Sequence, residues 1–359
     1  MSKQNELVQF SRGASGGGSK NLIINGGMTV AQRGTSAVTA TANFPVDRFR
    51  VEHSTDGAFT AQQSTDVPSG EGFVNSIKYQ TTTADLSLAA SQYFYTRQII
   101  EGFNSAHLMF GSSSAKTLTL SFWVKSSLTG TFGGSVWNNA FNRSYPYSYT
   151  IDAANTWEKK TITFTGDTTG TWLTTNGRGI NVGWGLGLGS DYSGTAGAWS
   201  ASGLLSVTGA TSLISTLNAT WYLTGVQLEV NDNATDFEHK TFSQELQACQ
   251  RYFCRTYQYG TGTGTATSNA CVSTSLSVAQ AYASAGNWDL PVTMRTAPTV
   301  TVYSTVSGTS GKLAADGTDG NGNATFISED RCFFYRANDS TGTATNVFLR
   351  AQATASAEL

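Results

Sequence analysis

Apolar and polar residues alternate at period two along much of this chain, in short bursts separated by turn-forming residues. That pattern predicts antiparallel strands with one face on a core. The clearest burst is TLTLSFWVK, where Leu118, Leu120, Phe122 and Val124 face one way and Thr117, Thr119, Ser121, Trp123 and Lys125 the other. KKTITFTG places Ile162 and Phe164 inward, and Phe49 with Val51, Phe59 with Ala61, and Ile77 with Tyr79 mark further strands. INVGWGLGLGS alternates Ile180, Val182, Trp184, Leu186 and Leu188 with Gly183, Gly185, Gly187 and Gly189. A strand with a glycine face has little to pack with, so something must approach that bare backbone closely. The candidates are a neighbouring part of the chain, a second protomer or an extended ligand. Eight to ten strands up to Val230 suit a jelly-roll sandwich, with Trp157, Trp184 and Trp221 in its core.

At both ends of this region the pattern changes. Asn21 to Asn25 reads as a short strand before a Gly26-Gly27 turn with positive φ. In WYLTGVQLEV, Tyr222, Val226, Leu228 and Val230 share one face, and the NDNAT run then breaks the strand. A helix follows, with Thr241 and Gln244 spaced as a capping box and Phe242, Leu246, Cys249 and Phe253 on one stripe. Beyond it, strands are expected near residues 271–277, 299–304, 331–336 and 346–351, with Pro291 and Pro298 bracketing a connection. The expected division is an N-terminal anchoring peptide and Gly/Ser linker (1–20), a sandwich (21–240), a linking helix (241–257) and a smaller β domain (258–359). The fold class is all-β.

Composition narrows the possible partners. Charged residues make up only 13% of the chain, and Ser and Thr take their surface places, as suits stacked sheets. A net charge of −2 leaves no basic footprint for nucleic acid. No apolar run is long enough for a spanning helix and MSKQNELVQF lacks a signal-peptide core, so no membrane insertion is expected. Cys249, Cys254, Cys271 and Cys332 are too sparse for a disulfide framework and read as free, mostly buried thiols. In the first segment, Leu7, Val8 and Phe10 stand apart from the body behind GASGGGSK, as an anchor that orders on a partner would.

Catalytic signatures are weak. His53, His107 and His239 are scattered without zinc-ligand spacing, and neither a P-loop nor a GxSxG elbow is present. Asp85, Asp152, Asp167 and Asp191 are carboxylates that a glycosidase could pair, but no spacing links any two. Read as a calcium loop from Asp319, DGNGNATFISED has Ala324 where glycine is required, so a plain Gly/Asn/Asp loop is expected and no metal site is assigned. Aromatics on polar faces or in loops are better candidates, because sugar rings present C–H faces that stack on them. Trp123 lies on the polar face of its strand. Trp137, Arg143, Tyr145 and Tyr147 fall in GGSVWNNAFNRSYPYSY, and Asp191, Tyr192 and Trp199 in GSDYSGTAGAWS. These eight are the expected ligand contacts, and the chain is expected not to be an enzyme.

Taken in order, NLIINGGMTVAQRGTS, LTLSFWVKSSLTGTF, WEKKTITFTGDTTGTW, WYLTGVQLEV, FEH, QELQACQRYF and TMRTAPTV resemble segments of bacteriophage fibre and virion appendage proteins. The part through Val230 is similar to jelly-roll carbohydrate-binding modules. The resemblance implies a homotrimeric virion structural protein, made in the host bacterial cytoplasm and docked to other virion proteins by its N-terminus. Its expected role is that of a tail fibre recognising host-surface polysaccharide. The alternatives are a head fibre, decoration or adaptor protein touching only virion proteins, and, third, a glycan-degrading enzyme. Modules of this type often carry a structural calcium, on which the residues are silent, and no other cofactor is implied. The family carries no defined ligand residues that could be transferred.

Overall fold

The computed structural model describes residues 19–276, 283–336 and 347–359; the anchor residues Leu7, Val8 and Phe10 lie outside them. Twelve strands precede the linking helix: β1 (Arg50–His53), β2 (Ala58–Ser64), β3 (Ser76–Thr83), β4 (Tyr93–Glu101), β5 (Leu118–Ser126) and β6 (Gly130–Trp137), followed by β7 (Ser144–Ile151), β8 (Glu158–Phe164), β9 (Arg178–Leu188), β10 (Ser193–Gly194), β11 (Ser206–Val207) and β12 (Thr220–Glu229). Ten of them form a sandwich of two five-stranded sheets, ordered β1-β4-β9-β6-β7 and β2-β3-β12-β5-β8, and β10 pairs with β11 alone. The interleaved order is that of a jelly roll. Between the sheets lies one apolar core, with Leu118, Leu120, Phe122 and Val124 of β5 facing Val182, Trp184 and Leu186 of β9 across it. Each of these fully buried side chains contributes about 1.5–3 kcal/mol of transfer free energy. The Tyr79 hydroxyl donates across the core to Thr96 Oγ1 at 2.7 Å, which satisfies a buried polar group.

Period-two alternation locates these strands, but local breaks shift their phase. β12 carries a bulge between Thr224 and Gln227, and Gly225 within it has φ +61°. The core face is therefore Trp221 and Leu223 before the bulge and Val226 and Leu228 after it. Tyr222 does not share that face, and Val230 is exposed. In β9 the register slips between Gly185 and Gly187, and Leu188 leaves the main core and packs on the outer side with Tyr95, Trp137 and Leu205. β5 is not half-exposed as expected: Thr119 and Ser121 on its polar face are also buried, and Thr119 Oγ1 donates to the Asn231 carbonyl of a covering segment. Trp157 is only half-buried. Its indole N–H donates to Asp66 Oδ1, and Lys125 lies 5.5 Å from its ring centroid.

The opening phrase also differs from expectation. Residues 21–25 form no strand, because the Asn21 side chain bridges the end of β12, donating to the Val226 carbonyl and accepting from the Leu228 N–H. Gly26 does not adopt positive φ; Asn25 does, at +61°. Glycine is required at 26 because an added Cβ would lie 2.1 Å from the Val226 carbonyl oxygen. Asn25 N–H donates to Glu245, Asn21 N–H to Glu238, and Gln32 Nε2 to the Phe253 carbonyl. Phrases scattered along the sequence thus meet in one buried polar knot.

A first short helix, α1 (Gly102–Ser105), follows β4, and the linking helix α2 (Phe242–Gln250) has the expected capping box at Thr241 and Gln244. Its buried positions are Glu245 and Cys249. Phe242 is exposed and Phe253 belongs to the next strand, so the apolar stripe is not formed. The C-terminal unit comprises β13 (Phe253–Arg255), β14 (Val272–Leu276), β15 (Ala283–Asp289), β16 (Thr299–Ser304), β17 (Lys312–Ala315), β18 (Thr318–Thr325), β19 (Arg331–Arg336) and β20 (Val347–Ser356). β13, β14, β16 and β17 all pair with β20, and β17-β18-β19-β15 continue the sheet. The stretch from Asp319 is strand β18 rather than a loop, and the Asp319 carboxylate accepts from Ser304 and Ser307. Cys249, Cys254 and Cys332 are buried free thiols and Cys271 is a half-buried one.

The two units share a buried polar seam. Glu101 accepts from Arg251 Nε and Nη2 at 2.9 and 2.7 Å and from the Tyr252 hydroxyl at 2.8 Å. The Arg48 guanidinium stacks 3.5 Å from the Tyr252 ring centroid and pairs with Glu358. Arg295 spans the seam, donating to the carbonyls of Asn176 and Ala357.

Candidate functional site

The outer face of sheet β1-β4-β9-β6-β7 is divided in two. Where Ile99 points outward it is covered by Tyr252 and Leu359 of the C-terminal unit. Beyond that cover the same face opens into a cleft of about 230 Å³, lined by Tyr93, Tyr95, Arg97, Trp137, Asn139, Phe141, Arg178, Asn181, Tyr192 and Leu205. β4 supplies Tyr93, Tyr95 and Arg97 at every second position, while Phe94 and Ile100 turn to the core. β9 supplies Arg178 and Asn181, the end of β6 supplies Trp137, and the β6–β7 turn supplies Asn139 and Phe141.

The glycine face of β9 explains how the cleft is floored. A Cβ on Gly183 would lie 2.7 Å from the Trp137 ring, and one on Gly185 would meet Leu188 at 2.5 Å and Ser206 at 3.0 Å. The close approach predicted from the sequence is therefore made by the chain itself. Trp137 reaches the bare strand at Gly183 and is 3% exposed, with its ring 6.0 Å from Tyr95 and 6.2 Å from Phe141, both edge-on. Tyr93 and Tyr192 form the rim at 5.6 Å, also edge-on, and both are half-buried. The cleft thus presents partly open aromatic rings next to amide and guanidinium donors.

Polar groups at its base are held in a fixed arrangement. Arg97 donates to Glu52 Oε1 at 2.7 Å and to Asn181 Oδ1 at 3.1 Å. Arg50 Nε approaches the same Glu52 oxygen at 2.8 Å and its Nη1 donates to the Leu359 carbonyl. Burial pushes the Tyr95 hydroxyl up to about 12, so it is a neutral donor and acceptor at physiological pH.

Of the eight expected contact residues, Trp137 and Tyr192 line this cleft. Tyr145 and Tyr147 belong to β7, not to a loop, and alternate inward with Tyr149 and Ile151; Tyr145 stacks on Phe164, and the Tyr147 hydroxyl donates to the Gly183 carbonyl. Arg143 is taken up by Asp167, donating through Nε and Nη2 at 2.7 Å each. Trp199 staples its loop to the end of the sandwich, packing edge-on against Phe110, Trp172 and Tyr145 while its indole N–H donates to the Thr165 carbonyl. Asp191 is exposed and its side chain lies outside the cleft. Trp123 is on the opposite sheet, in a separate hollow of about 190 Å³ with Phe73, Phe237 and His239. Tyr93, Tyr95 and Arg97 were findable from the alternation in YFYTRQII, whereas Arg178 and Asn181 have no comparable local signal.

Of the loose carboxylates, the exposed Asp152 shares Lys160 with Glu158 in an ion-pair cluster. Asp85 accepts from Thr55 and from the N–H groups of Asp56 and Ser87, and Asp167 caps Thr169. No group of three or more His, Cys, Asp or Glu residues suited to a metal ion occurs among the described residues.

No protein-family profile matches this sequence, and no curated protein matches it. Solved structures align with part of this chain at low identity. The enzymatically active domain of bacteriophage CBA120 tailspike protein 4 aligns with 59% of this chain at 13% identity and a TM-score of 0.35, and the alignment spans 22% of that chain. The module TmCBM61, solved with β-1,4-galactotriose, aligns over its whole length with 59% of this chain at 11% identity and a TM-score of 0.30. A family 11 carbohydrate-binding module of a Clostridium thermocellum cellulosomal cellulase aligns over 99% of its length with 58% of this chain, at 14% identity and a TM-score of 0.26. Likenesses this distant carry no argument about a ligand, and the chemistry of the cleft rests on its own residues.

Proposed function

We propose that this chain is a non-catalytic carbohydrate-binding protein, and that the cleft on the outer face of sheet β1-β4-β9-β6-β7 is its binding site. The observation that carries the proposal is the row of Tyr93, Tyr95, Trp137, Phe141 and Tyr192 set beside Arg97, Asn139, Arg178 and Asn181. Apolar sugar faces stack on the accessible rings of Tyr93, Phe141 and Tyr192, above the buried Tyr95 and Trp137, while ring hydroxyls take hydrogen bonds from Asn139 and Arg178. The likeness of its sequence phrases to phage appendages supports a finer reading: a homotrimeric tail fibre on a virion, anchored by its first residues to other virion proteins and attaching to host-surface polysaccharide. Weak single sites then gain by repetition on one particle.

The cleft is tested with the full chain on an array of bacterial and plant polysaccharides. A Tyr93→Ala/Tyr192→Ala double variant removes the rim and leaves Trp137 on its glycine bed. Binding to the best glycan is expected to fall at least about tenfold, since each lost stacking contact is worth about 1 kcal/mol, with the urea midpoint nearly unchanged. Undiminished binding by a folded double variant overturns the assignment.

A further inference from the structure

Resting on the carbohydrate reading above, we infer that the preferred ligand is an acidic polysaccharide, and that Arg178 receives a sugar carboxylate in the cleft. Three guanidinium groups, Arg50, Arg97 and Arg178, gather at this end of the sheet around one carboxylate, that of Glu52. Both Arg50 and Arg97 already use Glu52 Oε1, at 2.8 and 2.7 Å, and Arg97 has Asn181 as its second acceptor. Among the described residues no carboxylate forms a salt bridge with Arg178 and no acceptor hydrogen-bonds it, although it is half-buried and lines the cleft. The other arginines of this region are matched: Arg143 by Asp167, Arg251 by Glu101, and Arg33 and Arg48 by Glu358.

A half-buried cation beside two like charges gains from an anionic partner. Burial, followed by the neighbouring charges of Arg97 and Arg50, lowers the Arg178 guanidinium from its ordinary value, in line with that imbalance. A carboxylate matches the planar fork of a guanidinium with two parallel hydrogen bonds. The aromatic rim then holds the ring that carries it, so the sugar and its charge are read together. Asp191 is exposed nearby in sequence but lines no part of the cleft, so it does not supply the missing anion.

The test compares, on the full chain, binding of a polyuronate oligosaccharide series, of the same series with its carboxyls reduced to hydroxymethyl groups, and of sulfated glycans. Arg178→Gln is the variant. Expected are preference of at least about tenfold for the carboxylated form, weakening of that form as NaCl rises from low to high ionic strength, and loss of the preference in Arg178→Gln, whose binding of the two series becomes equal. Equal binding of the carboxylated and reduced series, or a preference that survives in Arg178→Gln, overturns the inference while leaving the carbohydrate reading in place. Binding confined to sulfated glycans overturns the carboxylate assignment. Failure of every charged and neutral glycan overturns the carbohydrate reading itself, and the inference with it.

Discussion

Arg143 shows how a single residue can look like a ligand contact and be a structural one. It lies between aromatic and amide residues in sequence, yet its two N–H groups are spent on Asp167, which is 2% exposed at the side chain. Burial alone would raise the Asp167 carboxyl, but the bonds from Arg143 and Thr169 bring it below its ordinary 3.8. A folded value below the unfolded one makes the contribution complete above about pH 4 and progressively lost as pH falls through the folded value. Asp167→Asn should therefore destabilise the chain at pH 7 by about 3 kcal/mol. The gap from the native chain should close in acid, as urea unfolding at pH 7 and pH 3 will show. A gap that does not depend on pH would assign the effect to packing. Aromatic roles divide in the same way. Tyr145 and Tyr147, expected as ligand contacts, share one inward face with Tyr149 at strand spacing, while the position of Trp137 on Gly183 depends on two strands that pair only in the folded sheet. Arg178 was illegible because its isolation is a property of what surrounds it in space.

At the scale of elements, alternation identified β1, β2, β3, β5, β8, β9 and β12, left β4, β6 and β7 unnamed, and failed in phase where a bulge altered the count. In β12 the bulge is centred on Gly225, where φ is +61° and an added Cβ would lie 2.6 Å from Phe73 and 3.0 Å from Trp123. No residue with a side chain satisfies both demands. Gly225→Ala is expected to cost about 1–3 kcal/mol, read as a lower urea midpoint, and an unchanged midpoint would mean that the bulge can relax. In the C-terminal unit β13 falls within the stretch expected as linking helix, and β15, β17 and β18 went unforeseen, because ASAGNWD and TDGNGNAT carry too few β-branched or aromatic residues to announce strands. They are held by pairing with neighbours rather than by their own propensity.

At the scale of the whole molecule the seam around Glu101 decides whether sandwich and C-terminal unit behave as one body. Glu101 is fully buried in β4 and binds Arg251 and Tyr252 just beyond α2. Removing Arg251 would leave the fully buried Glu101 carboxylate unmatched, at about 3–5 kcal/mol, and removing Glu101 takes the shared acceptor from both Arg251 and Tyr252. Calorimetry on the native chain should give one cooperative transition, and Glu101→Ala should separate it into two. A native chain that already melts in two steps would show that the seam does not couple the units. The all-β architecture could be read from the sequence. The seam could not, since its charges come from segments about 150 residues apart and nothing local marks them as partners.

β20 sets the order in which the molecule can be completed. β13, β14, β16 and β17 each lay an edge against it, and β13 precedes it by about a hundred residues. During synthesis at about 5–20 residues per second, β13 emerges some five to twenty seconds before its partner. The sandwich has every one of its strands by then and can close at once, while the later strands have only each other. Cells making this chain therefore carry, for that interval, a finished N-terminal half trailing open strand edges. Those edges are where a chaperone would act and where neighbouring nascent chains on one polysome could pair wrongly.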